Sequence, residues 1–308
     1  MSTAITYSAY GAPDVLTLSQ VETPRPGHGQ VRIRVRATAV NPIDVRIRAG
    51  VMDGFFPVQF PMTPGWDVAG VVDSVGDRAS AAVGDEVFGV ASVGGYSEHA
   101  LLDRPVAKPE ALAWETTAAL VTVGEAAFRA LKHLGVRAGQ TLLVHGAGGS
   151  VGRIAVQLAF AQGVRVVGTV AEDDIEHVTA LGATAVRYGD GWVERVKATA
   201  PGGVDSVFDA SGAGVLADSV ALVGDAARVI TIADPSFAQH GVRFTGMDPA
   251  DRFPESLPVL AELAASGKLT VPVWRTYPLA EGGPGARRRR SPAQRRKDHP
   301  AAVTRPGR

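Results

Sequence analysis

The sequence predicts an α/β protein of two domains, a small β-barrel-like domain followed by a doubly wound parallel sheet. Three observations predict it. The first 120 residues or so read as short strands separated by Gly, Pro and Asp. Beyond Trp114, apolar strand-like runs alternate with segments of helical spacing. The first of those runs, Thr141–Val144, leads into Val144-His145-Gly146-Ala147-Gly148-Gly149-Ser150-Val151-Gly152-Arg153, a glycine-rich turn that opens a helix.

Bulk properties allow this division. The 308 residues suit about two domains at roughly 100–200 residues each. No apolar run approaches the ~20 residues of a membrane span, and the N-terminus lacks the basic-then-apolar pattern of a secretion signal. There is no cysteine, which excludes disulfides and thiolate metal sites. A cytoplasmic protein is the simplest expectation. The net charge of zero hides an asymmetry. Residues 287–308 hold nine of the 31 basic residues and one of the 31 acids, which leaves 22 against 30 before them. An acidic body thus carries a basic tail.

In the first domain, residues 1–120, Gln30–Ala37 alternates polar and apolar side chains with the period of a half-buried strand. Pro24, Pro26, Gly27 and Gly29 punctuate the chain before it. Val68–Val75 and Glu86–Val90 are further short strands. Thr116–Leu134 carries Ala, Leu, Val and Phe at helical spacing. In the second domain, residues 121–268, strands are expected at Thr141–Val144, Val164–Val170, Ala185–Arg187, Ser206–Asp209 and Arg228–Ala233. Helices are expected at Val151–Gln162, Asp174–Leu181, Trp192–Ala200, Gly214–Leu222 and Phe253–Ser266. Such alternation argues for a parallel sheet covered on both faces.

The turn itself has the makings of an anion site. Gly146, Ala147, Gly148, Gly149, Ser150, Val151 and Gly152 are small enough for a close backbone approach, and a helix N-terminus favours negative charge. The plainer alternative is a glycine-rich strand-to-helix turn with no ligand.

Further landmarks carry a resemblance. They are Ala39-Val40-Asn41-Pro42-Ile43-Asp44, Pro64-Gly65-Trp66-Asp67-Val68-Ala69-Gly70-Val71-Val72, Gly84-Asp85-Glu86-Val87-Phe88-Gly89 and Gly95-Tyr96-Ser97-Glu98-His99, in this order with the glycine turn. The chain resembles the medium-chain dehydrogenase/reductase superfamily, specifically its zinc-free quinone oxidoreductase-like branch, from about residue 4 to residue 279. The resemblance implies a GroES-like β-barrel catalytic domain and a Rossmann domain with the active site in the cleft between them. It implies hydride transfer from NADPH to a quinone or an α,β-unsaturated carbonyl. By analogy it also implies a homo-oligomer, a dimer or tetramer, for which Val242-Arg243-Phe244 is a candidate strand.

Zinc-dependent relatives carry a Cys at or near Asp44 and Gly-His-Glu where Gly65-Trp66-Asp67 stands. This chain has neither, and its seven histidines form no close pair. A tetrahedral zinc site needs three or four converging ligands, so no metal is expected. Asn41 and Asp44 carry over as catalytic cleft residues, with Asn41 a candidate donor to a developing enolate oxygen. The alternative for Asn41-Pro42 is a turn, and Asp44 reads as structural more readily than as a general acid. Relatives often have Tyr after this Asp; here it is Val45. Trp66 and Tyr96 are candidates for the substrate pocket, against a core tryptophan and a surface tyrosine. His99 reads as structural. Thr122 carries over as a residue beside the cofactor, against a helix start with Glu125 three residues on.

Cofactor choice is read about 20 residues past the glycines. NADPH-using relatives show Ser and a basic residue there; this chain has Ala171-Glu172-Asp173-Asp174. Family precedent favours NADP(H), while Ala171 and Glu172 leave room for NAD(H). The acids could instead cap the next helix. Ser211 and Ile232, at the ends of the fourth and fifth strands, complete the expected cofactor site.

The first domain should be completed by residues 269–281 and beyond. Past Glu281, however, neither helical nor strand periodicity survives, and residues 282–308 read as an irregular basic tail. Gly282–Ser291 can be encoded GGC GGC CCG GGC GCA CGC CGA CGT CGA AGC; dropping the first base gives Ala-Ala-Arg-Ala-His-Ala-Asp-Val-Glu, a good helix. Arg296–Val303 can be encoded so that the same frame gives Gly-Arg-Thr-Ile-Leu-Leu-Pro-stop. The preferred reading is a tail out of frame, which sequencing the gene around codon 282 decides. A genuine tail would deprive the first domain of its closing strand and expose an edge.

Three functions compete. The leading one is a zinc-independent NAD(P)H-dependent oxidoreductase acting on a small molecule. The second is a catalytically weak NAD(P)H-binding sensor. The third, least favoured, is a nucleic-acid or other polyanion binder acting through the tail.

Overall fold

The computed structural model describes residues 1–281 and 301–305. The chain runs β1 (Ser2–Thr6), β2 (Thr17–Val21), β3 (Val31–Val40), α1 (Pro42–Arg48), β4 (Asp67–Val75), β5 (Glu86–Val93), β6 (His99–Leu102), β7 (Val106–Ala107) and α2 (Trp114–Leu134). It continues β8 (Thr141–His145), α3 (Ser150–Ala161), β9 (Arg165–Val170), α4 (Ile175–Ala180), β10 (Ala183–Arg187), α5 (Trp192–Thr199), β11 (Ser206–Asp209) and α6 (Leu216–Val223). Last come β12 (Val229–Thr231), β13 (Arg243–Phe244), α7 (Ser256–Ala265), β14 (Val273–Pro278) and β15 (Ala301–Arg305). The chain divides into two compact units. One is Met1–Thr122 with the chain from Leu257 onward; the other is Val123–Ser256.

The first unit is a closed antiparallel barrel. β3 pairs with β4, β4 with β5, β5 with β6, and β6 returns to β3. The alternation along β3 decides which face is inside. Val31, Ile33 and Val35 are buried with Val68, Val72, Val87, Ala91, Ala100 and Leu102, while Arg34 and Arg36 are exposed. Each fully buried Val, Leu or Ile contributes about 1.5–3 kcal/mol. Gly70 lets β3 and β4 approach closely, since a Cβ there would lie 2.3 Å from the Arg34 carbonyl oxygen.

Past Glu281 the structure corrects the sequence reading in part. Residues 282–300 and 306–308 of the tail lie outside the described residues. Ala301–Arg305, expected to be irregular, forms β15, parallel to β14 and antiparallel to β3. The unpaired edge expected on the first domain is therefore absent at β3. The physical reason is topological. β3 and β14 each present a row of backbone groups that another strand satisfies.

The second unit holds a six-stranded, all-parallel sheet in the order β10-β9-β8-β11-β12-β13. β8 is buried along its whole length, as a central parallel strand covered on both faces must be. The chain leaves β8 toward β9 and β10, then returns to build β11, β12 and β13 on the other side. The switch point of the topology therefore lies between β8 and β11, where doubly wound sheets bind ligands. Arg243–Phe244 is one edge strand and Ala183–Arg187 the other. His145, the last residue of β8, is buried between Thr169 Oγ1 (3.0 Å) and Ser219 Oγ (3.1 Å). Burial pushes its pKa down to about 4, so it is a neutral core group. Among the described residues no helix is long and apolar enough to cross a membrane.

Candidate functional site

The candidate residues fall into two constellations, one in each unit. In the second unit, β8 ends at His145 and the chain turns at Gly146, whose φ is 73°. Ala147 N–H donates to the Thr169 carbonyl (3.1 Å) and Gly149 N–H to the Gly146 carbonyl (3.0 Å), which folds the turn back onto the sheet. Helix α3 then starts at Ser150, with Gly149 as a cap that provides no side-chain acceptor. The N–H groups of a first helical turn have no carbonyl partner within their own helix. Gly152 packs the helix onto the turn: a Cβ there would lie 2.2 Å from the Gly146 carbonyl oxygen. This turn fits the diphosphate of a dinucleotide.

Ser211 and Ile232 are brought to the same end of the sheet. A Cβ on Gly146 would lie 3.2 Å from that of Ser211. Buried Asp209, at the end of β11, fixes this corner. Its Oδ1 accepts from Ser211 N–H (2.9 Å), Ser211 Oγ (2.7 Å) and Gly212 N–H (3.1 Å), and its Oδ2 from Thr231 Oγ1 (2.8 Å). Ile232 N–H donates to the Asp209 carbonyl (3.1 Å).

Ala171 and Glu172 follow β9, in a short 3-10 turn before α4. Asp174 is the N-cap residue of α4 but makes no side-chain cap bond to it. Asp174 turns toward the glycine loop instead. Arg153 Nη2 meets its Oδ1 at 2.9 Å, and Arg153 Nε donates to the Gly148 carbonyl at 2.7 Å. Glu172 pairs with Arg187 Nε at 2.9 Å. The sequence had given no sign of these arginine pairings.

In the first unit, one buried hydrogen-bonded chain links five residues from four segments. Asp67 Oδ2 accepts from Asn41 Nδ2 (2.8 Å) and Thr122 N–H (3.0 Å), and its Oδ1 from Thr122 Oγ1 (2.5 Å). Asp44 Oδ2 accepts from Asn41 N–H (2.8 Å) and Tyr96 Oη (2.9 Å). Asn41 is the N-cap of α1, and Asp44, three residues on, reaches back to its backbone N–H. Thr122 lies in the interior of α2 and not at a helix start. Tyr96 is buried, so it is not a surface tyrosine, and its ring packs on Gly65, where a Cβ would lie 2.2 Å away. Trp66 is half-buried. His99 sits between Ser2 Oγ (2.8 Å) and Asp73 Oδ2 (3.3 Å), a structural role.

Burial raises the Asp44 carboxyl from its ordinary value to about 7; the nearby Asp67 charge adds to the rise, while the Asn41 and Tyr96 hydrogen bonds and Arg48 oppose it. Its Oδ1 is buried and has no hydrogen-bond partner among the described residues. Asp44 Oδ2 and both carboxylate oxygens of Asp67 are engaged by amide and hydroxyl donors, and Trp66 offers no metal ligand. Among the described residues no three His, Cys, Asp or Glu side chains are grouped to hold a metal ion.

An antiparallel barrel in one unit and, in the other, a doubly wound sheet with a glycine turn at its switch point define a two-domain dehydrogenase/reductase architecture. Residues 27–111 match the alcohol dehydrogenase GroES-like domain family, and residues 150–250 match the zinc-binding dehydrogenase family. A human quinone oxidoreductase is 35% identical over 74% of this chain and 72% of its own. A mycobacterial protein solved in complex with NADPH is 29% identical, with a TM-score of 0.82 over 99% of this chain and 100% of its own. The Escherichia coli quinone oxidoreductase complexed with NADPH superposes with a TM-score of 0.85 over 99% of this chain and 100% of its own, at 24% identity, which speaks for the fold. The chain belongs to the medium-chain dehydrogenase/reductase superfamily, in its quinone oxidoreductase-like branch.

Proposed function

We propose that the chain is a zinc-independent, NAD(P)H-dependent oxidoreductase that reduces a quinone or an α,β-unsaturated carbonyl, with NADP(H) the preferred cofactor. The observation that carries this reading is the buried chain Thr122–Asp67–Asn41–Asp44–Tyr96, which holds one amide and one raised-pKa carboxyl through protein hydrogen bonds. The human quinone oxidoreductase supports the substrate class, and the NADPH complex of the mycobacterial protein supports the cofactor.

A bound reduced nicotinamide supplies the hydride. The residues of Gly146–Gly152 would hold its diphosphate, with Ser211 and Ile232 completing the cofactor site. Asp67 takes one N–H of the Asn41 amide and fixes its orientation, which leaves the second N–H for a substrate oxygen on which negative charge develops. Asp44 holds a proton near neutral pH, and the Tyr96 hydroxyl sits on its Oδ2. That pair stands in for the phenol that Val45 does not supply. Trp66 provides an apolar face for the substrate ring or chain.

The test is NADPH and NADH oxidation against a panel of quinones and enones. Asn41→Ala should lower kcat about 100- to 1000-fold with dinucleotide binding retained. Tight dinucleotide binding with no turnover of any acceptor would overturn the enzymatic reading in favour of a binding protein.

A further inference from the structure

The turn after β9 leaves a 2′-phosphate without an evident partner in sequence, since Ala171-Glu172-Asp173-Asp174 holds three acids and no base. The structure supplies a cation from the neighbouring strand. Arg187 is the last residue of β10, in register with Val170, the last residue of β9. Its guanidinium Nε lies 2.9 Å from Glu172 Oε2, 20 residues past Gly152. We propose that Arg187 is the specificity-determining residue of the cofactor site, binding the 2′-phosphate of NADPH in exchange for the carboxylate of Glu172. The inference rests on the NADP(H) reading above and names the residue that would enforce it.

Three arginines lie near this turn, and their surroundings differ. Arg153 is nearly buried and spent between the Gly148 carbonyl and Asp174. Arg195 points its guanidinium at the carbonyls of Arg187, Tyr188, Gly189 and Asp190, at 2.9–3.3 Å. That consumes its donors and fixes the loop that follows Arg187. Arg187 is 66% exposed and Glu172 65% exposed, so their ion pair is screened by water and easily exchanged. A guanidinium matches a phosphate in shape, and a dianionic phosphate outcompetes a single carboxylate for it. In dinucleotide-binding folds the group at this distance past the glycines meets the adenosine ribose, an acid taking the 2′-hydroxyl or an Arg nearby taking the 2′-phosphate. Here both groups are present and paired to each other. With NADH, Glu172 keeps its pairing with Arg187 and can accept from the 2′-hydroxyl on its other oxygen. With NADPH, the carboxylate gives way to the phosphate.

The experiment measures equilibrium binding of NADPH, NADH, 2′,5′-ADP and 5′-AMP to the full chain by titration calorimetry. Arg187→Ala should weaken NADPH and 2′,5′-ADP by about 10- to 100-fold and leave NADH and 5′-AMP within a factor of two or so. Arg187→Lys should recover part of the loss. Glu172→Gln should tighten NADPH several-fold by removing both the competitor and its charge. Thermal unfolding of each variant confirms that this exposed site leaves the fold intact. Equal weakening of all four ligands in Arg187→Ala, or none, overturns the assignment. So does unchanged NADPH affinity in Glu172→Gln. Failure of the parent chain to bind either dinucleotide overturns the function proposed above, and this inference with it; dinucleotide binding by the parent chain with NADPH affinity unchanged in Arg187→Ala overturns this inference alone.

Discussion

The glycine turn of the second unit and the carboxylate network of the first are both candidate sites, but they are built in different ways. The turn is contiguous: seven residues from Gly146 to Gly152, positioned by the strand before them and the helix after. Its function lies in the backbone, so glycine content and spacing report it directly. The network draws Asn41, Asp44, Asp67, Tyr96 and Thr122 from four separate segments, and its longest link spans 55 residues, from Asp67 to Thr122. Its function lies in side-chain direction, which spacing does not encode. A backbone site is thus legible from a sequence, whereas a side-chain site waits for the tertiary fold.

The sharpest way to break this comparison is inside the turn. At Gly152 a side chain meets a backbone carbonyl that has nowhere to move. Gly152→Val should destabilise by more than about 3 kcal/mol and abolish dinucleotide binding, read by urea unfolding and by fluorescence titration. Gly149→Ala is the control. Its Cβ would meet only the Gly146 oxygen at 3.3 Å and its φ is −76°, so the cost should stay below about 1 kcal/mol. If both variants behave alike, the turn is not held by helix-to-turn contact.

The same contrast explains what sequence reading reached and what it missed. The parallel sheet was legible because its strands carry short apolar runs between helical segments, as Leu142–Val144 and Val207-Phe208 illustrate. The barrel strand β3 was legible from its alternation. The β1–β2 pair and β6 were missed, being four or five residues long, and β6 joins a distant partner in β3. Asp67 stood in a recognised motif, yet nothing in Gly65-Trp66-Asp67 says that its carboxylate clamps both Asn41 and Thr122. Arg187 was hidden for a different reason. It follows the glycine turn by a whole further strand, and only the β9–β10 register brings it to Glu172. The strand at Ala301–Arg305 was missed because the residues around it carry no periodicity.

Asp67 is therefore the residue on which the network should break next. It is fully buried and accepts from three donors. Asp67→Ala strands the Asn41 amide and Thr122 hydroxyl and should cost about 2–4 kcal/mol. Thr122→Val removes only one donor and should cost about 1–2 kcal/mol. Urea unfolding at neutral pH separates the two. Near-equal losses would mean that Asp67 serves Thr122 alone and that Asn41 is held by other contacts.

The smallest effect concerns Asp44 and depends on pH. Its native pKa of about 7 lies above the ordinary value of 3.8, so between those values the folded protein keeps a proton that the unfolded chain has released. Stability from this group is complete below about pH 4, falls as pH rises, and is lost above pH 7. The limiting slope is about 1.4 kcal/mol per pH unit. Asp44→Asn should flatten that part of the stability profile, measured by urea unfolding from pH 4.5 to 8. Tyr96→Phe should do the opposite. Tyr96 donates to the carboxylate and pulls its pKa down, so removing the hydroxyl moves the midpoint upward and costs about 1 kcal/mol where Asp44 is ionised. Below the midpoint the loss should shrink, because a neutral carboxyl accepts a weaker hydrogen bond than a charged one. A Tyr96→Phe loss that is constant across the pH range would show that the hydroxyl contributes independently of the Asp44 charge and not through a bond to its carboxylate. The network would then end at Asp44, held by Asn41 alone.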